Sequence, residues 1–405
     1  MLLKKIAAAG IAVSMLLLSV QPISAGEIRT IEVGYKTIYY DTIVEAEGGN
    51  IYLVNNEVSG ADTTVTSVVI PDGVTAVGGY VFEGCKNLKS VSLPESLKTI
   101  NIAAFLRCRS LTDVHLPSGL TKIDCDAFAD CVSLESINIP SGVTVIDSGA
   151  FENCASLKSI ELPEGISLLE GHVFDGCTAL TSVSIPDSVT EIGKYAFADC
   201  SSLASIALPS GITNIGESAF YKCKNLTDID IPEGISTIKG DTFSCCTSLK
   251  SIKIPQSVTV ISGFSFNGCK NLESVTVYGG IKWISNAAFA DCDKEKLFFY
   301  VEENSYAQNW AADNGYKYDT FPAADKLVYG DADGDKQITA SDAAFVLQKT
   351  LLDSFVLPIE EKSSDWLKYV DADTDNVMTA SDAAYIMQKA LTDEIDLPAK
   401  KGDDL

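Results

Sequence analysis

The chain has 405 residues, of which 55 are acidic and 30 are basic, so its formal net charge at pH 7 is −25. So large a negative charge argues against nucleic acid and anionic membrane surfaces as partners and favours cations. Twelve cysteines stand beside only two histidines, which leaves four roles for the cysteines: a disulfide framework, a metal site, a reactive thiol or plain packing.

Residues 1–25 have the order of regions typical of a secretory signal. Lys4 and Lys5 precede an apolar stretch at 6–20, and the small-residue sequence PISA ends the segment. We predict that this segment is removed and that the mature chain is exported. No later apolar run approaches the roughly 18 residues needed to span a bilayer, so membrane insertion is not expected. The next segment, 26–69, is β-rich and has no repeat, which predicts an N-terminal cap.

A 23-residue repeat occupies the middle of the chain. Ten phenylalanines follow one another at this interval: Phe82, Phe105, Phe128, Phe151, Phe174, Phe197, Phe220, Phe243, Phe266 and Phe289. A cysteine stands three residues after each of them: Cys85, Cys108, Cys131, Cys154, Cys177, Cys200, Cys223, Cys246, Cys269 and Cys292. Ten of the twelve cysteines therefore share one structural position.

Each repeat contains one short strand followed by a second apolar pair. In the unit CKNLKSVSLPESLKTI at 85–100, Leu88, Val91 and Leu93 are spaced as a strand that is entered through a turn. One such unit cannot bury its apolar face alone, whereas stacked copies bury each other's faces, as in a solenoid. At about 4.8 Å per coil, ten coils would form a rod about 50 Å long.

The pattern LxxVxLP followed by FxxC in 23 residues resembles the BspA-like family of bacterial leucine-rich repeats. The resemblance implies a β-rich leucine-rich-repeat solenoid of about ten coils over 70–300. The segment 301–324 is predicted to form a C-terminal cap and linker. Within it, Ser305 and Gln308 predict a capping box at the start of a short helix, and Gly315 predicts its end.

Two ladders of side chains are predicted to point outward from the strands. The first is Ser90, Asp113, Ser136, Ser159, Ser182, Ser205, Asp228, Ser251 and Ser274, and the second is Ser92, His115, Asn138, Glu161, Ser184, Ala207, Asp230, Lys253 and Thr276. Neither contains an aromatic residue, whereas sugar-binding faces usually use aromatic platforms. A solvated face and a protein-binding face therefore stay open, and polysaccharide binding is the weaker alternative.

The cysteines of the repeat are predicted to be free thiols that fill small apolar slots. Stacked side chains point the same way and would keep neighbouring Cβ atoms about 4.8 Å apart, whereas a disulfide needs about 3.8 Å. Zinc is disfavoured, because a ladder offers each site at most two neighbouring thiolates. Cys125 and Cys245 lie off the ladder and are predicted to be the two exposed, reactive thiols.

No catalytic site is predicted in the repeats. A nucleophile at Cys125 would need a base, and His115 and His172 lie in different coils, neither with an obvious carboxylate partner. His172 follows Gly171 in a loop and is predicted to be a solvated side chain. We therefore predict a protein that is not an enzyme.

The segment GDADGDKQITASDAAFVLQKTLLD at 330–353 recurs as VDADTDNVMTASDAAYIMQKALTD at 370–393. Calcium prefers six to eight oxygen ligands, which a 12-residue loop supplies at positions 1, 3, 5, 7, 9 and 12. The loops depart from the EF-hand pattern at position 6, which is not glycine, and at position 12, which is aspartate. The predicted ligands of two Ca²⁺ ions are Asp331, Asp333, Asp335, the backbone of Gln337, Thr339 and Asp342, and Asp371, Asp373, Asp375, the backbone of Val377, Thr379 and Asp382.

Two such loops, each leading straight into a helix, resemble a dockerin module over 325–398, with a tail at 399–405. The resemblance implies a small all-α domain with paired EF-hand-like calcium loops, which binds a cohesin module of a cellulosomal scaffoldin. The positions that commonly face the cohesin correspond here to Ala340, Ser341, Leu347 and Gln348, and to Ala380, Ser381, Met387 and Gln388.

These features predict a secreted, non-enzymatic accessory protein of a cellulosome. The dockerin would hold it on a cell-surface or cellulosomal scaffold, while the repeat rod binds a protein partner whose identity the residues do not indicate. Two alternatives stay open: a carbohydrate-binding or adhesion rod for plant cell-wall polysaccharide, and an enzyme with an unrecognised site.

Overall fold

The computed structural model describes residues 21–22, 28–33 and 36–321. They contain a β-solenoid of about 12 turns. The sequence predicts about ten coils, and the excess arises because strands of both caps continue the parallel pairing of the repeats. The predicted signal segment, apart from 21–22, and the whole predicted dockerin segment lie outside the described residues. Within the described residues, every helix is too short or too polar to cross a membrane.

An antiparallel β structure begins the solenoid. Its strands are β1 Gln21–Pro22, β2 Arg29–Val33, β3 Lys36–Tyr40, β4 Thr42–Ala46, β5 Gly49–Val54 and β6 Glu57–Ala61. β2 and β3 form a hairpin, and β1, β4, β5 and β6 pair in that order. β6 then pairs in parallel with the first strand of the repeats, with Val58 opposite Val77. The cap sheet thus continues into one wall of the solenoid.

Two ladders of short parallel strands form two walls of the coils. The strands of the first ladder are β7 Ser67–Val69, β9 Ser90–Ser92, β11 Asp113–His115, β13 Ser136–Ile137, β15 Ser159–Glu161, β17 Ser182–Ser184, β21 Ser251–Ile254, β23 Ser274–Val277, β25 Phe298–Glu302 and β26 Lys317–Phe321. Those of the second are β8 Ala76–Val77, β10 Thr99–Ile100, β12 Lys122–Ile123, β14 Val145–Ile146, β16 Leu168–Leu169, β18 Glu191–Ile192, β19 Asn214–Ile215, β20 Thr237–Ile238, β22 Val260–Ile261 and β24 Trp283–Ile284.

Alternation along each strand sends one side chain into the core and its neighbours outward. In β9, Val91 is buried while Ser90 and Ser92 are exposed, and β11 repeats the pattern in register, with Asp113 opposite Ser90. The predicted strand and its outward ladders are therefore confirmed. The pairing of the first ladder is interrupted between β13 and β15 and between β17 and β21. In the second gap, one isolated bridge joins Ser205 to Asp228.

The turn edge is the third side of each coil; we use this name for the turns that carry the repeat phenylalanine and the residues around it. Backbone hydrogen bonds also join neighbouring coils here. The N–H of Phe82 donates to the carbonyl of Ala104 at 2.8 Å, and that of Phe105 donates to Ala127 at 2.8 Å. Because these bonds satisfy buried backbone groups, the turn edge adds a third column of hydrogen bonds along the rod.

The ten repeat phenylalanines form one continuous stack inside the solenoid. All ten are buried, and successive ring centroids are 5.0 to 5.9 Å apart with ring planes within 20° of each other. Burying each such side chain contributes about 1.5–3 kcal/mol. The stack therefore supplies a large part of the apolar burial that joins one coil to the next.

The repeat cysteines lie beside the phenylalanine stack, and nine of them are buried. Their predicted packing position is thereby confirmed. Each thiol also makes a contact that the sequence does not predict: Cys131 Sγ donates to the carbonyl of Phe105 at 3.2 Å, and Cys154 Sγ donates to that of Phe128 at 3.2 Å. Cys292, in the last full coil, is only partly buried.

Helix α1, Tyr306–Asp313, and strand β26 cover the far end of the stack. Ser305 Oγ accepts the N–H of Gln308 at 3.1 Å, and Gly315 has a φ of +73°, so the predicted helix start and end are confirmed. The reciprocal bond of the predicted capping box is displaced by one residue, because Gln308 Oε1 accepts the N–H of Asn304 at 2.6 Å. Trp310 packs against Phe289 and Phe299, at centroid distances of 5.9 and 5.8 Å. An aromatic cluster thus replaces the next coil.

Candidate functional site

The outer face of the first ladder extends beyond the repeats. Its last repeat strand, β23, pairs with β25 so that Ser274 lies opposite Phe298 and Thr276 opposite Tyr300. The two aromatic rings are 5.0 Å apart, and Tyr300 is 46% exposed. The two predicted ladders of the repeats therefore carry no aromatic residue, whereas the last strands add an aromatic pair that the sequence does not predict. The sequence hides this, because Phe298 follows Ser274 by 24 residues instead of 23.

His172 has a carboxylate partner, so the prediction that it has none is wrong. Its Nδ1 lies 2.9 Å from Asp175 Oδ2, and its ring stacks on Tyr195 with centroids 4.8 Å apart. The tight turn is the reason, since it brings residues three apart to the same side. Burial raises the pKa of Asp175 although the histidine lowers it, and burial together with Asp175 raises the pKa of Glu152. This part of the turn edge is therefore a crowded acidic surface.

Cys125 stands in an acidic cluster. One ligand atom each of Asp124, Cys125 and Asp147 lies within 4.8 Å of the others. Lys122 Nζ already lies 3.1 Å from Asp124 and 3.9 Å from Asp147, so the chain supplies its own cation. Burial and a hydrogen bond to Asp147 raise the pKa of Cys125 to about 11. Cys125 is partly exposed, as predicted, but its thiol is protonated at neutral pH.

Cys245 is also partly exposed, as predicted, but its surroundings differ. It adopts a left-handed backbone conformation, with a φ of +62°, at a position where the other coils have glycine or a polar residue. Lys222, Lys224 and Lys270 line the same groove. The two cysteines off the ladder therefore face opposite charges, carboxylates at Cys125 and ammonium groups at Cys245.

The predicted calcium ligands and cohesin contacts lie outside the described residues, as do the helices predicted after each loop. Those residues therefore stay predictions from the sequence. The dockerin segment that contains them is, however, matched by a known protein family.

A family model described as the BspA type leucine rich repeat region matches the chain in six copies, over residues 60–181 and 169–296. The chain belongs to this family. A second model, the dockerin type I domain, matches residues 329–391, so this BspA-type protein carries a C-terminal dockerin. Dockerin type I domains bind calcium and cohesins. Leucine-rich repeats and dockerins are both non-catalytic modules.

Solved structures similar to this BspA-type protein include several bacterial leucine-rich repeat proteins. A leucine rich cell surface protein of Faecalibacterium prausnitzii is 25% identical, with 66% of this chain and 97% of that chain covered and a TM-score of 0.36. A leucine-rich repeat protein of Bacteroides ovatus is 23% identical, with 74% and 100% covered and a TM-score of 0.39. The pneumococcal vaccine antigen PcpA is 20% identical, with 72% and 87% covered and a TM-score of 0.42. No curated protein matches the chain.

Proposed function

We propose that this BspA-type protein is an exported, non-enzymatic accessory component of a cellulosome. Its dockerin attaches it to a cohesin of a cell-surface or cellulosomal scaffold, and its repeat rod binds a protein partner. The observation that carries the proposal is the dockerin type I match over 329–391, which spans both copies of the repeated acidic loop.

Two calcium ions fit the donor chemistry of the two loops. Each loop offers three aspartates at alternate positions, then a backbone carbonyl, a threonine hydroxyl and a further aspartate, and hard cations prefer such all-oxygen sets. In the first loop these residues are Asp331, Asp333, Asp335, Gln337, Thr339 and Asp342, and in the second they are Asp371, Asp373, Asp375, Val377, Thr379 and Asp382. Bound calcium would neutralise the carboxylates and order the segments that follow them.

Removing calcium is expected to abolish cohesin binding and to unfold the dockerin while the rod stays folded. Metal binding supplies folding free energy to small calcium modules, whereas the solenoid core depends on stacked apolar side chains. Calorimetry of the full chain with calcium and with chelator would resolve two transitions, of which only one moves. A single calcium-independent transition, or chelator-resistant binding to a cohesin column, would contradict the proposal.

The near-identity of the two loops suggests two orientations of cohesin binding. The proposed contacts are Ala340, Ser341, Leu347 and Gln348 in one half, and Ala380, Ser381, Met387 and Gln388 in the other. If either half can occupy the same cohesin surface, loss of one half removes one of two equivalent modes.

Replacing Ala340 and Ser341 with tyrosine is therefore expected to weaken cohesin binding only about twofold, since one of two equal modes is worth RT ln 2. Adding the same changes at Ala380 and Ser381 should abolish binding. Tyrosine adds bulk without charge, so the calcium-dependent unfolding transition serves as the folding control. Loss of all affinity on changing the first half alone would refute two-orientation binding.

A second function is favoured by one observation, the aromatic pair of half-buried Phe298 and exposed Tyr300 on the outer face. Adjacent aromatic rings on a polar sheet resemble a platform for stacking a sugar ring. The alternative is a rod that binds plant cell-wall polysaccharide. Retention of the chain on insoluble cell-wall polymer, lost on Tyr300→Ala, would favour it over a protein-binding rod.

A further inference from the structure

A groove with a volume of about 720 Å³ runs along the turn edge over the last four coils of the repeat. It exists because the middle coils carry small residues there. Cys245 and Thr247 form one part of its floor, and Gly268, which has no side chain, forms another. Longer side chains border these small residues: Lys222 and Lys224 in the preceding coil, and Lys270 in the coil of Gly268 itself.

Part of the groove is basic, although the chain as a whole carries a net charge of −25. Lys222 and Lys224 come from one coil and Lys270 from a coil two further along. Lys222 Nζ lies 3.6 Å from Asp199 Oδ2, whereas Lys224 and Lys270 are largely exposed. The groove therefore offers ammonium groups to an anionic ligand.

Acidic residues border the basic strip at both ends. Before it, the turn edge carries Asp175 and Asp199, and after it Asp291 and Asp293 line the end of the groove. A continuous polyanion would run into these carboxylates and be repelled. A short acidic segment would instead be held in one register, because like charges placed side by side disfavour every shifted alignment.

The coil spacing gives the length of that segment. Lys222 and Lys270 lie two coils apart, which corresponds to about 10 Å at about 4.8 Å per coil. An extended peptide rises by about 3.3 Å per residue, so about three residues span the basic strip.

We infer that this groove binds a short extended acidic segment of the rod's protein partner, about three residues long and flanked by neutral or basic residues. The inference rests on the proposed function, because it assumes that the rod binds a protein. It adds the place of binding and the chemistry of the segment that binds.

The test uses the full chain with calcium and the peptide acetyl-KGEEEGK-amide, with acetyl-KGQQQGK-amide as the uncharged counterpart. Cys245 reports on occupancy, since it lies on the groove floor, and Cys125 serves as the internal control. Labelling by neutral iodoacetamide is followed by peptide mass spectrometry. If the occupied groove shields the thiol, the glutamate peptide at ten times its Kd slows labelling of Cys245 about tenfold and leaves Cys125 unchanged.

The matched variants are Lys224→Gln with Lys270→Gln, and Lys86→Gln, which removes a lysine from the same repeat position in another coil. The double variant should lose the protection, and Lys86→Gln should keep it. Equal protection by both peptides, or protection by neither, would overturn the inference. So would a Cys245 that is unreactive without peptide and becomes reactive at about 0.5 M salt, where charge contacts are screened. That result would mean that the chain's own acidic segment 322–405 fills the groove.

Calcium-dependent cohesin binding is measured on the same variants. Retained cohesin binding without peptide protection overturns the groove inference alone. Failure of every variant, and of the unaltered chain, to bind cohesin counts against the proposed attachment, whatever the peptide does.

Discussion

Replacing Phe266 with alanine is expected to lower the free energy of unfolding of the rod by about 3–5 kcal/mol. Phe266 is fully buried, and its ring stacks between those of Phe243 and Phe289, at centroid distances of 5.4 and 5.0 Å. The cavity left by the ring cannot collapse easily, because the N–H of Phe266 is bonded to Ala288 of the next coil at 2.9 Å. Each coil contacts only its neighbours, so the loss falls on two coil interfaces at once.

Phe264 provides a matched control two residues away. Its side chain is 48% exposed, so Phe264→Ala should change the free energy of unfolding by no more than about 0.5 kcal/mol. Urea unfolding followed by circular dichroism, with calcium present throughout, measures both variants. Equal losses at the two positions would mean that the phenylalanine stack does not carry the stability assigned to it.

Thiol labelling of the folded chain is expected to reach at most three of the twelve cysteines: Cys125, Cys245 and Cys292. The sequence predicts only the first two, and the structure adds Cys292. The other nine are buried, so the reagent does not reach their thiols. Burial also disfavours the reactive thiolate, as it raises the pKa of Cys85 to about 12. In urea all twelve should react. Rapid labelling of ten or more in the native protein would contradict the packing role.

The pH dependence of labelling tests what holds the proton on Cys125. Only the thiolate reacts, and the pKa of Cys125 is raised to about 11. Its labelling rate should therefore rise about tenfold per pH unit between pH 7 and 10. A plateau below pH 9 would mean that the carboxylates of Asp124 and Asp147 do not hold its proton.

The 23-residue period by itself predicts the coil, its inward-facing residues and the positions of both caps. This succeeded because each coil repeats the same local pattern, so ten copies identify the residues that must face inward. The turn signals of the C-terminal cap were equally local: Ser305, Gln308 and Gly315 lie within one short helix and its ends. The two predicted calcium loops are local as well, since the proposed ligands of each lie within twelve residues.

Only the tertiary structure decided what the surface of the rod presents. Phe298 joins the outer ladder through pairing of a cap strand that leaves the repeat spacing. Lys222 and Lys270 line one groove because their coils stack two steps apart. Asp124 and Asp147 meet in the same way, from coils one step apart. Cysteine thiols likewise find carbonyl acceptors 26 residues earlier. The sequence by itself determined which residues are buried, since burial follows a local period, whereas the stacking of coils decided which exposed residues meet.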